Sequence, residues 1–192
     1  MIRTRIVVGL TLMGCLIAPA AAQQFGDSAK LIAAQKEAMA SLQAMNGVWR
    51  GTATVTTPSG EVRLSTQTER IGPFLDGSLK VIEGRGYDAD GRVTFNAFGI
   101  VSYNPLTRAY SMRSYAQGYA GEFSFKPTAD GYSWEVPAGP ATIRYTATIK
   151  DDVLHEIGER IVGSGDPVRI FEMTLKRVGD SDWPAAGAIA PK

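Results

Sequence analysis

The chain has 192 residues, a formal net charge of +1 and 44% hydrophobic residues. That length supports one hydrophobic core, and near-neutrality without a basic run excludes nucleic acid as the main partner, because phosphate binding needs clustered Lys and Arg. The single cysteine, Cys15, excludes a disulfide framework and a thiolate metal site.

The chain opens with Arg3 and Arg5, an apolar run from Ile6 to Ile17, and the small residues Ala20-Ala21-Ala22. This order reads as an export signal over residues 1–22, cleaved after Ala22, with the mature protein periplasmic or secreted. The apolar run is too short for a membrane span, so no integral span is expected. Leu12-Met13-Gly14-Cys15 also fits a lipobox, in which Cys15 would carry a lipid anchor. The apolar Leu16-Ile17-Ala18 beyond the cysteine favours soluble export instead.

Residues 23–46 read as a leader followed by a helix. From Ser28 to Met45, Leu31, Met39, Leu42 and Met45 fall near one face. Asp27 or Ser28 caps the start, and Asn46-Gly47 ends it. At Gly47 the apolar period changes to two. Short strand-like runs then recur between turn signals, among them Pro58-Ser59-Gly60, Asp90-Gly91, Asn104-Pro105, Asp130-Gly131 and Asp151-Asp152. About ten strands joined by such short links make an antiparallel meander. A sheet this wide curls or closes, which removes its open edges. The expected fold is all-β: an up-and-down barrel of about 8–10 strands over residues 47–178, with an N-terminal helix. Residues 179–192, rich in Gly, Ala and Pro, read as a flexible tail.

Alternation places side chains two apart on one face. Trp49, Gly51, Ala53 and Val55 share a face of the first strand. Phe171, Met173, Leu175 and Arg177 share one on the last. Trp49 and Arg177 meet if the sheet closes, with the guanidinium over the indole. Tyr119, Phe123 and Phe125, then Tyr132, Trp134 and Val136, then Ile143, Tyr145, Ala147 and Ile149 supply an aromatic interior. Several polar residues are in phase with apolar ones: Glu83 and Arg85 with Leu79 and Val81; His155 and Glu159 with Val153, Ile157 and Ile161; Arg70, Thr66 and Thr68 with Val62 and Leu64. They imply either a wet or ligand-filled lumen, or positions at the rim or beside a bulge. The ligand-binding candidates are Glu83, Arg85, Tyr119, Trp134, Tyr145, His155 and Glu159, and Trp49 and Arg177 are the closure pair.

No catalytic or metal signature emerges. His155 is the one histidine, so a multi-histidine zinc site is excluded. Haem needs a single axial ligand, which makes His155 the one route to it, but no cofactor is expected. No Gly-x-Ser-x-Gly elbow occurs, and Gly84-x-Gly86 lacks the strand-to-helix setting of a nucleotide loop.

Gly47-x-Trp49 after a helical lead-in, with Arg177 ending the final strand, resembles the calycin superfamily of lipocalin-like barrels. Leu42-x-x-Met45-x-Gly47-x-Trp49-x-Gly51, the Gly72-Pro73-Phe74-Leu75-Asp76-Gly77 turn and Phe171-Glu172-Met173-Thr174-Leu175-Lys176-Arg177 resemble, more closely, a family of exported bacterial barrels that carries a domain of unknown function. The resemblance covers about residues 40–178. It implies a closed barrel with a central cavity, and an Arg packed over the Trp at the closed end. It implies no activity.

Three functions are compatible with these features. The first is an exported module that binds a small apolar or amphipathic molecule in the lumen. The second is an enzyme using His155 or Glu159 as acid and base in the cavity. The third is a structural envelope protein with a filled core. Nothing in the sequence sets an oligomeric state.

Overall fold

The computed structural model describes residues 28–183. The export signal and Cys15 lie outside the described residues. The helix α1 spans Ser28–Ala40, and a short 3-10 turn, Gln43–Met45, follows. Ten strands come next: β1 (Gly47–Thr56), β2 (Val62–Phe74), β3 (Leu79–Tyr87), β4 (Val93–Asn104), β5 (Ala109–Ala116), β6 (Tyr119–Pro127), β7 (Gly131–Ala138), β8 (Ala141–Lys150), β9 (Val153–Val162) and β10 (Val168–Gly179). Each strand pairs antiparallel with its sequence neighbours, and β1 also pairs with β10. The sheet is therefore a closed, ten-stranded, up-and-down barrel, as the spacing of turns predicts.

Closure is built around Trp49. This side chain is fully buried, and its register partners are Arg177 on β10 and Glu69 on β2. Its indole Nε1–H donates to the Met45 carbonyl at 2.9 Å. The Arg177 guanidinium lies over the ring, 5.6 Å from its centroid. The single helix expected from Ser28 to Met45 is broken at Ser41-Leu42. Leu42 N–H donates to the Met39 carbonyl, and Met45 N–H to that of Leu42. The tighter turns drop Met39, Leu42 and Met45 into the end of the barrel, where all three are buried. They pack with Trp49, Ile71, Val101, Leu154 and Leu175 into the hydrophobic core. Helix α1 is anchored by Gln35 Nε2, which donates to the Tyr103 carbonyl at 3.2 Å, and by Tyr110, whose hydroxyl donates to the Ala38 carbonyl at 3.1 Å.

Gly47 explains the first position of the Gly-x-Trp element. Its φ is +148°, which L side chains rarely adopt. A Cβ there would sit 3.2 Å from the Arg177 guanidinium carbon and from the Gly179 carbonyl oxygen. The glycine thus lets the chain turn from plug to strand while Arg177 reaches over Trp49.

Pairing across the barrel fixes which face of each strand points inward. For β1, β6, β7, β8 and β10 the inward set is the one that alternation indicates. For β2, β3 and β9 it is the opposite set. On β2 the partners of Ala53, Gly51, Trp49 and Gly47 are Ser65, Gln67, Glu69 and Ile71, so these point inward. Val62 and Leu64 are 64% and 68% exposed on the outer face. On β3 the inward residues are Lys80, Ile82, Gly84 and Gly86. On β9 they are Leu154, Glu156 and Gly158. These three strands carry apolar residues on both faces, so hydrophobic phase alone selects the wrong side. Val81 shows why: it is an outer residue, yet buried, and its partner Gly72 lies against Ser181 and Trp183.

The flexible tail expected from Gly179 is packed at its start. Gly179 completes β10, and Ser181 to Trp183 cross the outside of β2. Trp183 lies under the Arg70 guanidinium at 4.1 Å, meets Phe98 edge-on at 6.5 Å and donates its Nε1–H to the Arg70 carbonyl at 3.3 Å.

Two substitutions test the closed end. Gly47→Ala should reduce unfolding free energy by about 1–3 kcal/mol through backbone strain, and Trp49→Ala by about 3–5 kcal/mol through loss of a fully buried ring. Chemical denaturation with both variants measures this. Parent-like midpoints would mean that the barrel closes without this contact.

Candidate functional site

The lumen is filled at the α1 end and open above it. A cavity of about 870 Å³ occupies the rest of the barrel. Its mouth lies among the β1–β2 and β3–β4 turns, with Glu61, Arg63 and Asp88 in its lining. The space exists because of residue size. On β3, β4 and β5 the inward positions halfway up are Gly84, Ala97, Gly99, Ser114 and Ala116. Facing them, β7, β8 and β10 contribute Trp134, Tyr145 and Phe171. Small side chains on one wall leave the volume, and rings on the other make it apolar.

The aromatic wall is continuous. Trp134 and Tyr145 stack with centroids 4.3 Å apart and an interplanar angle of 10°. Phe123 adjoins Trp134 at 5.9 Å, and Phe171 meets Tyr145 edge-on at 5.7 Å. Gly158 makes this crossing possible, since a Cβ there would lie 2.8 Å from the Tyr145 ring and 2.9 Å from Phe171 Cβ.

Three polar side chains reach into this apolar space: Gln67, Glu69 and Glu156. Gln67 and Glu156 are buried, at 5% and 7% exposure. Glu69 is half-buried and lines the cavity, with its Oε1 3.3 Å from the position of a Cβ at Gly84. Trp134 Nε1–H donates to Glu156 Oε1 at 2.9 Å. Burial pushes the Glu69 carboxyl up to about 8; the charge of Glu156 adds to the rise, and a hydrogen bond from Gln67 opposes it. Burial likewise pushes Glu156 up to about 7, against the Trp134 bond. Tyr132 and Tyr145 are raised by burial and then by the Glu156 charge, Tyr145 to about 12, so both remain neutral phenols. No basic side chain is among the groups that shift either carboxyl. Two buried acids without a counter-charge are costly to ionise. They can hold protons, exchange them, or accept a cation. Below them, at the plugged end, Lys80 is 2% exposed and bonds Asn46 Oδ1, and burial lowers its ammonium to about 8.

Of the residues expected to line the lumen, Trp134 and Tyr145 do so. Tyr119 stands at the β5–β6 end, 83% exposed. Glu83 and Arg85 lie on the outer face: Glu83 accepts from Arg70 at 2.8 Å and from Arg85 at 2.7 Å. Burial pushes Glu83 upward, but the bonds and charges of the two arginines outweigh it and hold it below the usual range. His155 and Glu159 are also outside. His155 Nε2 lies 3.0 Å from Glu172 Oε1, and Glu159 pairs in register with Arg144 and Arg169. The cavity therefore offers no imidazole, and the acid–base pair proposed for an enzyme does not reach it. The reason is the β3 and β9 face reversal. Glu69, Gln67 and Glu156 are the residues that hydrophobic phase misses. Hairpin counting finds them: the Pro58-Ser59-Gly60 turn sets Thr57 against Glu61, which places Glu69 opposite Trp49. The Asp151-Asp152 turn likewise places Glu156 opposite Ala147.

Among the described residues, no group of three or more His, Cys, Asp or Glu is arranged to hold a metal ion. None of their helices is long and apolar enough to cross a membrane. No family model matches the chain, and no curated protein matches it either.

The raised carboxyls set a pH dependence. Above the ordinary carboxyl value of 4.5, the unfolded chain has released protons that folded Glu69 and Glu156 retain up to about 8 and 7. Their contribution to stability is full below about 4.5 and is lost as pH rises through 7 and 8. Lowered groups such as Glu83 and Glu172 act below that window. Thermal melts should show stability falling by on the order of a few kcal/mol between about pH 5 and 8. The double replacement Glu69→Gln, Glu156→Gln should flatten the profile. A parent profile that is flat or rises would place both carboxylates in a solvated, ionised state.

Proposed function

We propose that the protein is an exported, periplasmic or secreted barrel that binds a small apolar or amphipathic molecule in its lumen. The observation that carries this reading is the cavity itself. At about 870 Å³ it falls within the range of about 300–1,000 Å³ usual for small-molecule sites. It combines an apolar, aromatic wall with a few convergent polar groups, the pattern of a site that buries a ligand's body and orients one polar end. A core meant only for structure would be filled, and here β3, β4 and β5 place Gly84, Ala97, Gly99, Ser114 and Ala116 at the inward positions halfway up. The calycin-like signature of Gly47, Trp49 and Arg177 supports the same reading, and the sequence before Gln23 supports export.

Enzymatic use of His155 or Glu159 has lost its geometry, because neither side chain enters the cavity. A purely structural role leaves the cavity without a purpose.

Uptake of the fluorescent probe N-phenylnaphthylamine tests the reading. One site per chain is expected, with Kd of about 1–10 μM, and with quenching of tryptophan emission because Trp134 lines the space. Ala97→Phe with Ser114→Phe should fill the cavity from its small-residue wall and weaken uptake about tenfold or more. Uptake that is absent, or unchanged in the filled variant, would remove the lumen from consideration as a binding site.

A further inference from the structure

We propose that the bound molecule carries a cationic nitrogen: an alkyl- or arylalkylammonium. Its head would sit at Glu69 and Glu156 beside Trp134 and Tyr145, and its apolar body would point toward the mouth. This inference rests on the lumen-binding reading and specifies its ligand class.

The geometry supplies four reasons. First, the cavity has two carboxyl groups at depth and, among the described residues, no basic side chain there. The one basic residue in its lining, Arg63, stands at the mouth, where it pairs with Glu61 at 3.0 Å. Second, Glu156 is more than nine-tenths buried, and Trp134 Nε1 is the donor that reaches it among the described residues. Glu156 also lines the cavity, so a bound head group can reach its carboxyl. An ammonium supplies a further donor and the missing charge. Third, the nearest wall is the stacked Trp134–Tyr145 pair, and cations are attracted to indole and phenol faces. Fourth, Glu61 is paired with Arg63, so Asp88 leaves the mouth lining with a net negative charge, which favours cations over fatty acids. A divalent metal fits less well, because it needs several oxygen ligands, and no set of three acidic or imidazole groups converges here.

The groups that face the two acids are few. Glu69 is met by Gln67 from its own strand, Trp49 from β1, Gly84 from β3 and the charge of Glu156. Glu156 is met by Trp134 from β7, Ala147 from β8 and Met173 from β10. The charge of Glu156 acts on Tyr132 and Tyr145, and both phenols stay neutral. A bound ammonium would therefore shift protons chiefly at Glu69 and Glu156. Both carboxyls would ionise against it, and their protons would leave for solvent.

Calorimetry with three chain-matched probes, dodecylamine, dodecanol and dodecanoate, at neutral pH and in buffers of different ionisation enthalpy, tests this. Dodecylamine, charged at this pH, should bind about tenfold or more tighter than dodecanol, and dodecanoate most weakly. Amine binding should release about one proton or more, and dodecanol binding none. Glu69→Gln with Glu156→Gln should abolish the amine preference and the proton release while dodecanol still binds, which also reports that the variant is folded. Equal binding of the three probes, tightest binding of dodecanoate, or an amine preference that survives the double replacement would overturn the cationic assignment alone. Micromolar binding of calcium or manganese, lost in the double variant and accompanied by no amine preference, would reassign the carboxyls to a metal and overturn it too. Failure of all three probes would overturn the lumen-binding reading with it.

Discussion

The structure depends on one indole. Trp49 sits on the strand that closes the ring, so its two flanking registers set the position of everything else. Pairing with β10 places Arg177 over its face. Pairing with β2 places Glu69 beside it. Its N–H ties the helical plug to the barrel through Met45. The energy of any one contact is modest, about 0.5–1 kcal/mol for an exposed cation–π pair and about 1 kcal/mol for a hydrogen bond. Their joint effect is geometric. They stop the core at the closed end and leave the other end free to hold a cavity.

Above that stop, residue size divides the lumen. The rings of β7, β8 and β10 would fill it if they met rings from β3, β4 and β5. Halfway up they face Gly84, Ala97, Gly99, Ser114 and Ala116 instead. Packed cores avoid such voids, since each lost contact weakens the fold. The buried acids add to the imbalance: Glu69 and Glu156 have hydrogen-bond donors but, among the described residues, no counter-ion. Space and uncompensated acidity at one point are the two properties that a ligand with a polar end and an apolar body would satisfy together. The outer face contrasts with this. There Glu83 is held between Arg70 and Arg85, and Glu172 pairs with Arg169, so those charges are already compensated.

How much of this was legible beforehand depended on the kind of signal. Turn residues marked the ten strands, because Gly, Asp and Pro at tight turns act locally on φ and ψ. The change of period at Gly47 separated the N-terminal helix from the barrel. Strands with one apolar face, such as β1 and β7, declared their inward side. β2, β3 and β9 did not, because Val62, Leu64, Val81, Ile157 and Ile161 are outer residues as apolar as the inner ones. Val81 is buried on that face opposite Gly72, which the returning segment with Ser181 and Trp183 crosses, an approach no local pattern announces. One wrong phase on each strand moved Glu83, Arg85, His155 and Glu159 into the lumen on paper and left Glu69 and Glu156 outside it.

By itself, the sequence determined the class of fold, a strand count of about 8–10, and the matching faces that carry Trp49 and Arg177, because each follows from backbone preferences and alternation within a few residues. Tertiary structure alone decided which wall is small, which is aromatic, and which carboxyls are buried between them. Those facts depend on register passed from hairpin to hairpin around a closed ring. A single strand carries no record of which of its faces the ring will turn inward.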